Sequence, residues 1–246
     1  MVRFFVTREN LKGHEGFVTG QEFQHMCRVL RLRPGDRVML FDDASREHEG
    51  VIRAVSENIA RIEILSSHDA GTESPLDLRL AVGLTKGEKL DLVVEKATEL
   101  GVQTILPLAT TYTVPKLDPE KISRRSRRWQ KIALSAAKQC GRTRIPVILP
   151  VSDFGEFIRQ PSNSALKLLF WEKEERQTLN DIFVMQSAAR SMLLAVGPEG
   201  GFSVEEVHLA RDYDFKPVGL GRRVLRVETA AIAVMALVQF LWGDLN

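Results

Sequence analysis

Residues 195–203 read Ala-Val-Gly-Pro-Glu-Gly-Gly-Phe-Ser, and they decide how the second half of the chain is read. An apolar run ends in a turn with three glycines in five residues, Gly197, Gly200 and Gly201. Ser203, with Glu206 three positions on, has the spacing of a capping box that opens a helix. In a parallel α/β sheet such a turn lies at the carboxyl end of a strand, where ligands bind. Glycines there let backbone approach a ligand without Cβ interference. The same pattern also suits a tight strand-to-helix connection that binds nothing.

Outward from this turn, strand-like and helix-like segments alternate. Residues 78–82 and 104–108 are strand-like, 88–100 helical, and Gly101 stands where a helix C′ glycine would. Asp118-Pro119 offers an N-cap and an N1 proline for a long helix ending near Cys140-Gly141. Strands at 147–149, 166–170, 192–196 and 217–220 alternate with helices starting near Asp153, Thr178, Ser203 and Thr229. This rhythm implies a parallel sheet covered on both faces.

The chain before residue 66 has a different rhythm. The turn Arg33-Pro34-Gly35-Asp36 precedes apolar runs at 38–41 and 51–55, and residues 60–64 alternate with period two. Short strands with turn signals suggest a small β-barrel, with a short helix at 21–30. The small, polar stretch 66–75 reads as a linker, so domains are expected at 1–70 and 71–246.

Hydrophobic residues make up 44% and charged residues 27% of 246, which excludes a disordered or collagen-like chain. Net charge is only +2, but residues 121–144 hold nine basic residues and no acidic one, so the remainder carries −7. A basic block on a slightly acidic body is the footprint of a polyanion partner. In the helix that carries it, Ile122, Trp129, Ile132, Ala133, Ala136 and Cys140 form an apolar stripe. Arg124, Arg127, Arg128, Lys131 and Lys138 fall opposite, a face suited to phosphates more than bases. With no acidic residue interleaved for i,i+4 pairing, RNA contact is favoured over a merely solvated face.

Cys27 and Cys140 are 113 positions apart and form no CxxC pair, so neither a cysteine zinc site nor a disulfide framework is expected. The start, MVRFFVTREN, has no signal-peptide core. The longest apolar segment, 230–242, falls short of the ~20 residues that span a bilayer. A reduced, cytoplasmic location without membrane or metal is expected.

A second motif, Leu220-Gly221-Arg222-Arg223-Val224-Leu225-Arg226-Val227-Glu228-Thr229-Ala230, follows another strand-like segment. Gly219-Leu220-Gly221 fails as a dinucleotide fingerprint because Val224 stands where the third glycine belongs. The chain has no GxxxxGK[ST] loop and no HExxH motif.

Together, GPEGGFS and LGxRVLRxETA resemble the SPOUT superfamily of methyltransferases, and more narrowly the family that methylates N3 of a uridine in 16S ribosomal RNA. Gln24-His25, Val29-Leu30-Arg31, Lys86-Gly87-Glu88-Lys89, Lys96 to Gly101, Trp129 to Ile132 and Gln139 to Arg142 resemble the same family. The resemblance implies a PUA-like RNA-binding barrel, then an α/β domain with a C-terminal trefoil knot, a rare topology. It implies S-adenosylmethionine held by Phe170-Trp171-Glu172, by Gly197-Pro198-Glu199-Gly200-Gly201 and by Leu220, Gly221, Val224 and Leu225. Adenine would lie against Leu220, Val224 and Leu225, with Gly197 and Gly200 leaving room for the ribose. It also implies a homodimer, which suits a terminal helix apolar on nearly every side. Where the family pattern leads to Ser-Glu-Arg, this chain has Thr110-Thr111-Tyr112, so no role of that arginine is carried over.

The chemistry needs no metal, since a sulfonium methyl donor is already activated. It needs charge stabilisation on the uracil oxygens, for which Arg226 is the candidate, unless it pairs with Glu228. Glu199 and Glu228 are candidate proton acceptors, though each could instead order its loop. In the barrel, Arg3, His25, Arg28 and Arg31 are candidate RNA contacts, with His25 equally suited to a structural role. Three readings stay open: uridine N3-methylation of small-subunit rRNA, ribose 2′-O-methylation of rRNA or tRNA, and non-catalytic binding during ribosome assembly. Retention of both glycine-bearing loops speaks against the last.

Overall fold

A computed structural model describes residues 1–42, 44–114 and 118–246. The chain divides into two compact units, Met1–Glu73 with Ala137–Ile145, and Ser74–Ala136 with Pro146–Asn246.

The first unit contains β1 (Arg3–Phe5), β2 (Leu11–Lys12), β3 (Glu15–Thr19), α1 (Gly20–Gln24), β4 (Arg37–Phe41), β5 (Arg46–Val55) and β6 (Ile59–Asp69). Its six-stranded sheet has the order β1-β4-β5-β6-β3-β2, antiparallel except for the parallel β1–β4 pair. Register shifts between β5 and β6 at Glu49/Gly50 and Ile52/Ala54 bend the sheet around Phe4, Val18, Met26, Leu40, Ile52 and Ile62. α1 passes directly into a π-helical turn, His25–Val29.

Two expectations are corrected here. Residues 66–69 are not linker: Ser66, Ser67, His68 and Asp69 continue β6 and pair with Glu49, His48, Glu47 and Arg46 of β5. Arg3 is not a free surface cation. Its guanidinium ion-pairs with Glu47 at 2.6 Å, donates to the carbonyls of Ala137 and Arg142, and lies over the Phe41 ring. With its side chain only 12% exposed, it holds this unit together instead of reaching for RNA. Lys138 is likewise committed, at 2.9 Å to Glu22.

The second unit carries a parallel sheet of β7 (Asp77–Gly83), β8 (Thr104–Ala109), β9 (Val147–Ile148), β10 (Ser152–Asp153), β11 (Leu166–Phe170), β12 (Ser191–Val196) and β13 (Lys216–Val218). The order is β10-β8-β7-β12-β11-β13, with β9 also paired to β8. The central strands are mostly apolar because both faces are covered: Leu78, Leu80, Val82, Leu168, Leu194 and Ala195 are all buried.

Six helices belong to the elements around this sheet: α2 (Lys89–Glu99), α3 (Pro119–Cys140), α4 (Phe154–Arg159), α5 (Leu179–Gln186), α6 (Val204–Asp212) and α7 (Val227–Trp242). α2 buries Leu90, Val93, Val94 and Ala97, spaced three and four apart, and packs on α7. Its end is marked by Gly101 at φ +80°, a conformation that favours glycine. On α3, Trp129, Ala133 and Ala136 are buried as the stripe required. α7 is covered on one side only within the chain. Ala231, Val234, Met235 and Val238 are buried, but Leu237 and Phe240 are 45% and 54% exposed.

Candidate active site

Three connections converge at the carboxyl end of the sheet: the turn after β11, the turn after β12, and the loop between β13 and α7. They enclose a cleft of about 720 Å³, part of it open to solvent. Phe170, Trp171 and Glu172 come from the first, Gly197 to Gly201 from the second, and Leu220, Gly221, Val224 and Leu225 from the third. All twelve residues singled out for the cofactor line this one cleft. Val196, Arg223, Val227 and Ala230 line it too, and sequence reading missed them. Arg223 had a signal, because it lies within the second motif between Gly221 and Val224.

Local chemistry fixes each loop. Ser203 and Glu206 form the reciprocal capping box: the Ser203 hydroxyl accepts from the Glu206 amide at 3.1 Å, and the Ser203 amide donates to Glu206 Oε2 at 2.8 Å. Glu206 Oε1 accepts the Thr111 amide at 2.8 Å, tying the segment after β8 to the same helix start. The Trp171 indole donates to the Phe202 carbonyl at 3.2 Å, joining the first two loops.

The glycines are needed by the protein's own packing. A Cβ on Gly83, at the end of β7, would come within 2.3 Å of the Pro198 nitrogen. One on Gly197 would meet the Gly201 backbone at 2.9 Å, and one on Gly200 would meet the Tyr112 Cβ at 2.6 Å. The positions a Cβ would take at Gly197 and Gly200 are therefore filled by neighbouring chain. Gly201, at φ +69°, lies against the Glu172 carboxylate.

The two candidate bases differ. Glu199 lines the cleft and receives Lys89 Nζ at 2.8 Å and the Lys86 amide at 3.3 Å. Burial pushes its carboxyl up, but the hydrogen bonds from Lys89 and from backbone amides outweigh this and hold it below the usual carboxylate range. Glu228 lies in the first turn of α7, between Val227 and the cleft-lining Ala230, and its Oε2 is buried with no hydrogen-bond partner. Arg226 is the exposed N-cap residue of α7; its neighbours Leu225 and Val227 line the cleft, whereas Arg226 and Glu228 lie beside the lining and not in it.

On α3, Arg124, Arg127 and Lys131 are exposed. Arg128 does not stand free: it pairs with Glu88 at 2.7 Å and Asp91 at 2.6 Å, acidic partners that α2 and its approach supply. In the first unit, Arg28 and Arg31 are exposed, and His25 packs edge-on to Phe4. No group of three or more potential metal ligands is found among the described residues. Nor, among them, is any helix long and apolar enough to cross a membrane.

Fold and cleft define an RNA methyltransferase. A family model for the RNA methyltransferase domain matches residues 72–239, and one for the RNA methyltransferase PUA domain matches residues 18–65. The ribosomal RNA small subunit methyltransferase E of Bacillus subtilis is 29% identical, over 98% of this chain and 96% of its own. A structure of the enzyme of that name from Neisseria gonorrhoeae, bound to S-adenosyl methionine, is 32% identical with a TM-score of 0.88 over the whole of both chains. A Legionella pneumophila structure in complex with SAM is 34% identical with a TM-score of 0.91, covering 99% of both. The chain belongs to the ribosomal RNA small subunit methyltransferase E family.

Proposed function

We propose that this protein transfers a methyl group from S-adenosylmethionine to N3 of a uridine in 16S ribosomal RNA. The observation that carries the reading is the convergence of all three loops on one cleft at the ligand-binding end of a parallel sheet. The cleft fits the cofactor: Leu220, Val224 and Leu225 give apolar walls for a purine, and the Glu172 carboxylate beside Gly201 can accept from hydroxyl or ammonium groups. Two relatives more than 30% identical over nearly their whole length were solved with this molecule bound.

When bound, S-adenosylmethionine supplies a methyl group on an activated sulfonium. The chain's residues must take the N3 proton and hold charge that develops on the uracil oxygens. Glu228 is assigned as proton acceptor, because its buried Oε2 is unpartnered while Glu199 is held in its ionised form by Lys89. Glu199 then orders the 197–201 turn. Arg226 is assigned to the uracil oxygens and Arg223 to the rim.

Residues 1–70 are proposed as a PUA-like barrel that docks RNA through Arg28, Arg31 and His25, and 71–246 as a knotted SPOUT domain. Arg124, Arg127 and Lys131 would hold phosphates. The exposed Leu237 and Phe240 of α7 suit burial against a second copy of the chain. Action on ribosomal RNA suits a cytoplasmic location. Nucleoside mass spectrometry of 16S RNA from cells with and without this protein tests the reading: N3-methyluridine should vanish with the protein, and its persistence contradicts the assignment.

A further inference from the structure

We propose that Tyr112 is the surface on which the target uracil stacks during methyl transfer, an inference that rests on the function proposed above. N3 lies on the pairing edge of uracil, so a paired or stacked uridine must be drawn out of the RNA before it can react. An extruded base needs a new stacking partner, usually an aromatic ring. Tyr112 follows β8 at the same end of the sheet as the cleft loops. Its Cβ lies against Gly200, which lines the cleft, yet the residue is 49% exposed.

The aromatic residues that line the cleft are already engaged: Phe170 is buried, and the Trp171 indole is bonded to Phe202. The backbone beside Tyr112 is anchored. The Thr111 amide is tied to Glu206 at 2.8 Å, and the Thr110 amide to the Thr113 hydroxyl at 2.7 Å. An aromatic ring on an anchored backbone loses less freedom when a base lands on it than one on a loose loop. Exposed Val224, on the third loop, gives the cleft a second apolar edge.

The test compares Tyr112→Ala and Tyr112→Phe with the wild type. Methyl transfer is followed under single-turnover conditions to unmodified small-subunit particles over a range of particle concentrations, with S-adenosylmethionine affinity and sedimentation measured in parallel. Tyr112→Ala should lose roughly ten- to hundredfold in methyl transfer, the cost of one lost base–aromatic stack. Its cofactor affinity and oligomeric state should not change. Tyr112→Phe, which keeps the ring, should stay close to wild type. Wild-type rates in Tyr112→Ala, or equal losses in both variants, would overturn the proposal. So would a parallel loss of cofactor affinity, which would reduce Tyr112 to a prop for Gly200, or a shift in oligomeric state, which would make it an interface residue. A wild-type protein that transfers no methyl group would sink the proposed function itself, whereas an active wild type with an unaffected Tyr112→Ala sinks only the stacking.

Discussion

The Lys89 ammonium lies 2.8 Å from the Glu199 carboxylate, and this pair ties the start of α2 to the glycine-rich turn after β12. It divides the work of the two candidate carboxylates. One that is held ionised by a cation and by backbone amides is a poor acceptor for a weakly acidic N3 proton. It is well suited to keeping a turn in place.

Glu199→Gln and Lys89→Met should therefore both weaken S-adenosylmethionine binding, by about tenfold for one lost charge-assisted hydrogen bond. The transfer rate at saturating cofactor should change little, and its pH profile should keep its shape. Isothermal calorimetry and a pH–rate series check this. A collapsed rate with unchanged affinity would return Glu199 to the role of base.

Docking and chemistry should separate on different arginines. Arg124, Arg127 and Lys131 are exposed on α3, so replacing them with alanine should weaken RNA binding and flatten its salt dependence by up to about one unit of slope per contact. The rate should recover at saturating RNA. Arg226→Ala should bind RNA and cofactor nearly normally but lose about 10²–10³-fold in kcat. Arg128→Ala should behave differently from its neighbours, because its contacts with Glu88 and Asp91 are within the fold. Equal losses for Arg226→Ala and the triple variant, at saturating RNA, would remove Arg226 from the chemistry.

Much of the second unit could be read from sequence because its signals are local. The Ser203–Glu206 capping box, the Gly101 helix end and the apolar strands each reside in a few consecutive residues. The cleft was legible for the same reason, since its walls are three contiguous loops. What escaped was set by partners distant in sequence. Ser66 to Asp69 look like linker by composition, but backbone pairing with β5 makes them strand whatever their side chains. Arg3 looks like a surface base until Glu47 and the carbonyls of Ala137 and Arg142 enclose it. Arg128 reads as unpaired from its own helix because its acidic partners lie 40 and 37 positions away in sequence. The contact of Tyr112 with Gly200 spans 88 positions and leaves no sequence periodicity to find.

The first unit should show a pH-dependent contribution from Glu73. Its carboxylate accepts from Arg142 at 2.8 Å and from the Thr143 and Arg144 amides at 2.9 Å each. Burial pushes its pKa up, but these bonds outweigh it and hold the value below the usual 4.5. A carboxyl whose pKa is depressed by folding stabilises fully above its unfolded pKa, and that stability fades as pH falls through the folded value. Glu73→Gln should cost about 2 kcal/mol at neutral pH, since an amide replaces the charge that accepts from buried Arg142. The gap to wild type should start to narrow as pH falls below about 4.5 and close only below the lower folded value. Urea melts at pH 7 and at acid pH would show it, and a gap independent of pH would exclude this origin.

The central claim is met most directly by incubating the purified protein with unmodified small-subunit particles and methyl-labelled S-adenosylmethionine, then digesting the RNA to nucleosides. The account predicts one labelled product, N3-methyluridine, whose formation needs no added metal and falls steeply in Glu228→Gln. A label on the ribose 2′-oxygen, or no label in RNA with cofactor bound, would contradict it.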